Sequence, residues 1–237
     1  MTKKVDQNFW NKYFEVYDNL NLVIPYQTLL DTIVNNLEIK EDELVLEAGC
    51  GTGNLAIKIK HAGAKVIGID NCKAALDRYK LKNPEADIIV HDLTTRLPFA
   101  DNYFDKIASN DVIYSLDKEI RIEIFKEFYR TLKPGGKIVV ANALKGTKPI
   151  QIYFDAVNEK KAREGLLKTI ALMLKVVLPT VKMLYYNKLI VKENDNGSFD
   201  FFEEYEQFEL LKNSGFKDIS DSTLVYSNQS IMNSGVK

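Results

Sequence analysis

LEAGCGTGNLA (residues 46–56) sets three glycines, Gly49, Gly51 and Gly53, at alternate positions. Glycine costs backbone entropy wherever it sits, so three within five residues imply that side chains there would collide with something. A nucleotide phosphate, an uncharged nucleoside or a bare tight turn would each account for them. The flanks separate these cases. ELVLEA (43–48) is a short apolar run with an acidic end and reads as a buried parallel strand. NLAIKIKHAG (54–63) carries Leu55, Ile57 and Ile59 among polar residues and stops at Gly63, the pattern of a capped helix. Strand, glycine loop and helix in succession form the ligand-binding turn of an open α/β sheet. A second apolar run, KVIGID (65–70), ends on Asp70, 19 residues beyond Gly51, where a carboxylate suits two ribose hydroxyls. A bare turn explains the glycines but leaves Asp70 unexplained.

Phosphate binding fails on particular residues. A dinucleotide fingerprint needs its third glycine at position 54, which is Asn54, and a P-loop needs Lys followed by Ser or Thr after Gly53. Glu47, at the strand end, would repel a pyrophosphate but suits a ligand bearing an ammonium or sulfonium charge. The pattern predicts an adenosine with a cationic tail.

From Leu44 to Asn142 the chain resembles the class I S-adenosylmethionine-dependent methyltransferases, motif by motif. VLEAGCGTG (45–53) is similar to their glycine loop, and VIGID (66–70) to the strand bearing the ribose-binding acid. IIVHDLTTRLPFADNYFDKI (88–107) resembles their third-strand segment, ASNDVIYSL (108–116) the end of their fourth strand, and FYRTLKPGGKIVVAN (128–142) their helix, turn and fifth strand. The resemblance implies S-adenosyl-L-methionine as cofactor. It implies a cofactor site of Glu47, Gly49, Cys50, Gly51 and Gly53 in the loop, Asp70 and Asn71 at the ribose, Asp92 and Leu93 at the adenine, Asn110 at the methionine portion and Tyr17 closing over it. It also implies a Rossmann-like, doubly wound sheet of seven strands, the first five expected near 44–48, 65–69, 87–90, 104–108 and 136–141.

Length and composition allow one domain: 237 residues, 46% hydrophobic, with a formal net charge of −1. No cationic start followed by an apolar stretch reads as a signal peptide, and the two cysteines, Cys50 and Cys72, lack metal-type pairing, so the expectation is a cytoplasmic protein with no metal. Cys50 reads as a packing residue. The segments expected are N-terminal helices over 1–40 (DQNFWNKYFEVYDNL, 6–20, and PYQTLLDTIVNNL, 25–37), a cofactor-binding core over 41–142, a helical cap over 143–202 inserted after the fifth strand, and a C-terminal helix and hairpin over 203–237. In the last segment KDIS (217–220) and TLVYS (223–227) read as the paired strands, and the final ten or so residues as frayed.

The cap carries the substrate signal. Residues 142–192 hold nine Lys and one Arg against Asp155, Glu159 and Glu164, within a chain that is nearly neutral overall. Lys161, Lys168, Lys175 and Lys182 recur every seventh residue, near one stripe of a helix that Pro179 is expected to break or kink. Lys175 interrupts the apolar run short of the ~18 residues a spanning helix needs, which argues against a transmembrane segment. Two readings stand: a helical lid with solvated lysines, or a lid resting on an anionic membrane or gripping an amphiphile with an acidic head.

Methyl transfer from a sulfonium needs alignment above all, and a base only where the acceptor must lose a proton. Asp111 and Tyr114, just beyond the fourth strand, face the acceptor position; His91, beside Asp92, is the third candidate. Tyr13, Tyr17 and Tyr26 suit either closure over the cofactor or core packing. NDVIY (110–114) lacks the Pro-Pro-aromatic run of nucleic-acid amino methylases, and the basic cap has no interleaved stacking pattern, so nucleic acid is argued against. The expected acceptor is a small molecule of apolar or amphiphilic kind: a quinone, lipid or natural product. A polar metabolite, RNA, or a non-catalytic cofactor-binding module are the alternatives. Oligomeric state is not legible.

Overall fold

The structure, a computed structural model, describes residues 7–195 and 200–237. Two N-terminal helices, α1 (Gln7–Tyr17) and α2 (Ile24–Leu37), flank a short 3-10 turn at Asp18–Leu22. Pro25 opens α2 in the first turn, where a missing N–H costs nothing, and Leu29, Leu30, Ile33 and Leu37 bury one complete face of it. Strand and helix then alternate: β1 (Leu44–Ala48), α3 (Asn54–His61), β2 (Lys65–Asp70), α4 (Lys73–Lys82), β3 (Asp87–Val90), β4 (Phe104–Asn110), α5 (Arg121–Thr131) and β5 (Leu132–Ala143). Helices α6 (Pro149–Glu164) and α7 (Leu166–Asp195) follow, then α8 (Glu206–Asn213), β6 (Thr223–Val225) and β7 (Ser230–Val236).

The seven strands lie in the order β3-β2-β1-β4-β5-β7-β6. β1 to β5 are parallel, with Leu46 opposite Ile67 on one side and Ile107 on the other, whereas β7 runs antiparallel between β5 and β6. Leu46, Ile107, Ile138 and Val139 are fully buried, as a parallel sheet covered on both faces requires. The order reverses between β1 and β4, so the loops leaving those two strands open a crevice at their carboxyl ends.

All five expected parallel strands form. Three expectations are corrected. KDIS gives only an isolated bridge at Lys217, and the second strand of the hairpin is β7, within the tail expected to be frayed. β7 is buried along nearly its whole length because it lies between two other strands. Of the break or kink expected at Pro179, the break does not occur: α7 runs through the proline, and the chain turns at Gly165. Proline removes one hydrogen bond from a helix, but the φ of +85° at Gly165 is closed to ordinary side chains and ends α6 outright. The third correction concerns the glycine loop and is taken up with the site.

Buried polar groups fix the end of the sheet. Asn142, on β5, accepts the N–H groups of Ile113 (2.9 Å) and Tyr114 (3.3 Å) and donates to Gln207 Oε1 at 2.8 Å. Gln207 donates in turn to Val140 O and to Asn233 Oδ1 on β7. All three amides are fully buried and mutually satisfied, so they tie β5, α8, β7 and the loop after β4 into one register. The cap is closed at its neck, where Phe202 N–H donates to Ala143 O and Lys145 N–H to Phe202 O.

Candidate active site

The crevice at the carboxyl ends of β1 and β4 is a cavity of about 310 Å³, roofed by α1 and walled on one side by α6 and α7. Gly49, Gly51 and Gly53 sit at φ of +77°, +50° and +75°, so the loop needs glycine for its backbone alone. Their missing side chains make room chiefly for the protein itself. A Cβ on Gly49 would lie 2.2 Å from Val112, in the loop after β4, and one on Gly53 would lie 2.2 Å from the Tyr79 ring. A Cβ on Gly51 would lie 3.1 Å from the Phe14 ring of α1. The collisions expected with a ligand are thus first of all collisions with neighbouring side chains. Gly49 and Gly51 line the cavity; Gly53 does not, and instead starts α3.

Asp70 ends β2 with both carboxylate oxygens engaged: Gly51 N–H donates to one at 2.9 Å and Cys72 N–H to the other at 2.8 Å. Burial pushes its pKa up and the two N–H donors oppose this. Each oxygen keeps a lone pair for a further donor. Asn71, Asp92 and Leu93 line the same side; Asp92 forms a turn by accepting Thr94 N–H, and Leu93 is buried.

Glu47 and Asn110 lie at the ends of the two strands that diverge. Glu47 Oε2 and Asn110 Oδ1 are both buried and lack any hydrogen-bond donor among the described residues. Burial, with the charge of Asp70 adding to it, holds the Glu47 carboxyl well above the usual carboxylate range. Two orphaned acceptors in one cavity ask for a donor-rich, cationic group, and an α-ammonium offers three N–H bonds. The two acceptors therefore fit the amino-acid end of S-adenosylmethionine.

The acceptor candidates line the same cavity. Asp111 holds φ +53°, and burial raises its carboxyl to about 7, opposed only by a long hydrogen bond (3.4 Å) from Ser230 on β7. Its charge is felt by five phenols: Tyr13 and Tyr17 from α1, Tyr26 from α2, Tyr114 and Tyr226. Burial, and then the charge of Asp111, pushes the Tyr114 hydroxyl far up, which leaves it a neutral phenol; its ring packs edge-on against Phe201 at 5.0 Å. His91 lines the cavity, half-buried, with its Nε2 3.3 Å from Thr95 Oγ1. Cys50 is buried, and its thiol is raised by burial. Tyr13, Tyr17 and Tyr26 all reach the cavity wall, and the last two are joined hydroxyl to hydroxyl at 3.1 Å.

Several lining residues have no counterpart in the sequence reading. Tyr226, Gln229 and Ser230 arrive from the turn before β7. Ile152, Asn187 and Ile190 come from the cap helices, Trp10 and Phe14 from α1. Asn54 is the strap between layers: its Oδ1 accepts Asn21 Nδ2 (2.9 Å) and Lys82 Nζ (2.7 Å), and its Nδ2 donates to Tyr26 Oη. Thr52 adds a 2.6 Å bond to Asp18. Only Phe14 and Trp10 carried a signal, as aromatic members of an amphipathic helix.

A family profile described as a methyltransferase domain matches residues 46–140, the stretch from β1 into β5. The demethylmenaquinone methyltransferase of Oceanobacillus iheyensis is 29% identical over 147 residues, covering 58% of this chain and 60% of that protein. The chain thus spans under two thirds of that relative. The enzyme of the same name from Staphylococcus saprophyticus is 26% identical over 220 residues, 86% of this chain and 84% of the relative. A crystal structure from Thermotoga maritima, described as a SAM-dependent methyltransferase and possible histamine N-methyltransferase, superposes with a TM-score of 0.62 over 97% of this chain and 98% of that one; at 15% identity it shows the fold alone. The matched motifs, the strand order and the loop agree in supporting a class I S-adenosylmethionine-dependent methyltransferase.

Proposed function

We propose that the protein moves the methyl group of S-adenosylmethionine onto a small amphiphilic acceptor of the quinone, lipid or natural-product kind, with Asp111 as the base that relieves the acceptor of its proton. Bound S-adenosylmethionine supplies an electrophilic methyl group on a sulfonium. Glu47 and Asn110 take its ammonium, Asp70 and Asn71 its ribose, and Asp92 and Leu93 its adenine. The observation that carries the reading is that orphaned acceptors and a buried carboxylate raised to about 7 share one cavity.

The acceptor class is supported by the apolar part of the cavity lining. Ile152, Ile190 and Phe201 line the same cavity as Asp111 and suit a flat apolar ring bearing a hydroxyl or an activated carbon. Relatives named for demethylmenaquinone point the same way. Tyr114, kept neutral, is a donor and not a base.

Incubation with methyl-labelled S-adenosylmethionine and a fractionated cell extract tests the activity: label is expected in the lipid-soluble fraction. Label in RNA or in a polar product would overturn the acceptor class, and cofactor binding without any label transfer would make the protein a binding module. The base has its own test. Because the carboxylate form is required, kcat/KM is expected to rise with pH through about 7. Asp111→Asn should lower kcat by roughly 10²–10⁴-fold, abolish that limb and leave cofactor affinity intact. An unchanged limb in the variant assigns it to another group.

A further inference from the structure

α7 has two faces of opposite character. Inward, Met183 and Ile190 are buried, Asn187 and Ile190 line the cavity, and Tyr186 packs edge-on against Phe9 and Tyr13 of α1 at 5.6 and 6.1 Å. Outward stand Leu167, Ile170, Leu174, Leu178, Val181 and Tyr185, spaced alternately three and four residues apart or close to it, which lines them along one side of the helix. Leu167 is 84% exposed, Leu174 and Leu178 75% each. The stripe runs for about 27 Å at 1.5 Å per residue. A continuous apolar strip of that length on the surface marks an interaction face.

The charges bordering it identify the partner. Between residues 166 and 192 the chain has five lysines and no acid. Lys168 and Lys182 follow one margin of the stripe and Lys188 the other; the side chain of Lys175 lies outside the described residues. Lys168 has one distant partner, Glu164 at 3.9 Å, and among the described residues Lys182 and Lys188 have no acidic one. A second copy meeting this face would set lysine rows against lysine rows. Nucleic acid would match the lysines and leave the leucines in water. An anionic lipid surface takes both, with the leucines among the acyl chains and the lysine stems reaching up to the headgroups. No helix among the described residues is long and apolar enough to cross a membrane, so the contact is interfacial.

We propose that the outer face of α7 docks the protein on an anionic membrane, laying the cavity wall formed by its inner face directly behind the lipid contact. Docking does not depend on methyl transfer and is measured without cofactor. Flotation of the full chain with phosphatidylglycerol–phosphatidylcholine vesicles is expected to carry the protein upward, and with phosphatidylcholine alone to leave it behind. Replacing Lys168, Lys182 and Lys188 together with Gln should lower partitioning more than a hundredfold, about fivefold per lysine. Leu174→Gln with Leu178→Gln should lower it by at least tenfold per residue. All these positions are on the surface, and retained binding of S-adenosylmethionine checks that the variants are folded. Absence of flotation with either vesicle, or equal flotation of the variants, overturns the proposal. So does a dimer in light scattering that the leucine changes convert to monomer, since the face would then belong to a second copy.

Discussion

Asp70→Ala is expected to weaken S-adenosylmethionine binding by at least about a hundredfold in titration calorimetry. The carboxylate has two sets of partners. The N–H of Gly51 ties the left-handed glycine loop to one oxygen, and the N–H of Cys72 fixes the turn after β2 on the other. The remaining lone pairs are those proposed to accept the ribose hydroxyls. Hydrogen bonds to a charged group contribute roughly 1.5–3 kcal/mol each, and truncation removes two to the ligand while loosening the loop that shapes the site. Asp70→Asn keeps the volume but turns an NH₂ towards one backbone N–H, so it should fall between alanine and wild type. Wild-type affinity in the alanine variant would show that the ribose is held elsewhere.

Arg121→Met should lower the stability of the protein by about 3–5 kcal/mol, the cost of breaking a buried ion pair from one side. Arg121 is fully buried on α5. It pairs with Glu206 at 3.0 Å, donates to the carbonyls of Tyr114, Leu116 and Asp200, and lies 4.4 Å above the Phe202 ring. Burial lowers its pKa, opposed first by the charge of Glu206 and then by that of Asp200. One side chain therefore joins the loop that presents Tyr114 to the neck of the cap. Methionine fills the volume but satisfies none of those oxygens. At this chain length each kcal/mol corresponds to about 2–4 °C, so the midpoint should drop by roughly 6–20 °C in a thermal melt. A change of only a degree or two would mean that solvent reaches the carbonyls and replaces the guanidinium.

Sequence and structure agree where local pattern and burial coincide. The five parallel strands are apolar because helices cover them on both sides, and that is visible in LVLEA or KIVVAN without any partner. Asp70 is legible because the glycine loop sets its distance along the chain. β7 was hidden for a physical reason. SIMNSGV is half small polar residues, and Asn233 is buried only because Gln207, 26 residues earlier, donates to it. Arg121 reads as an ordinary helix charge until Glu206 and the carbonyls close around it. On the side proposed for the acceptor, Asp111 and Tyr114 follow the fourth strand in sequence, but Tyr226 and Ser230 reach the same cavity only through the sheet. The end of α6 was open to reading in Gly165, since a left-handed angle at a helix C-terminus favours glycine, but Pro179 drew the expectation although α7 carries it within its length.

The two outermost strands, β3 and β6, are the shortest of the sheet, at four and three residues, while the inner ones run to twelve. A sheet edge is a row of unpaired N–H and C=O groups able to template another chain, and a short edge offers little to copy. For a molecule whose cap presents leucines to the surroundings, this matters. Chains brought together by their apolar helices would find no long strand to extend, so such encounters end in reversible clusters and not in cross-β growth.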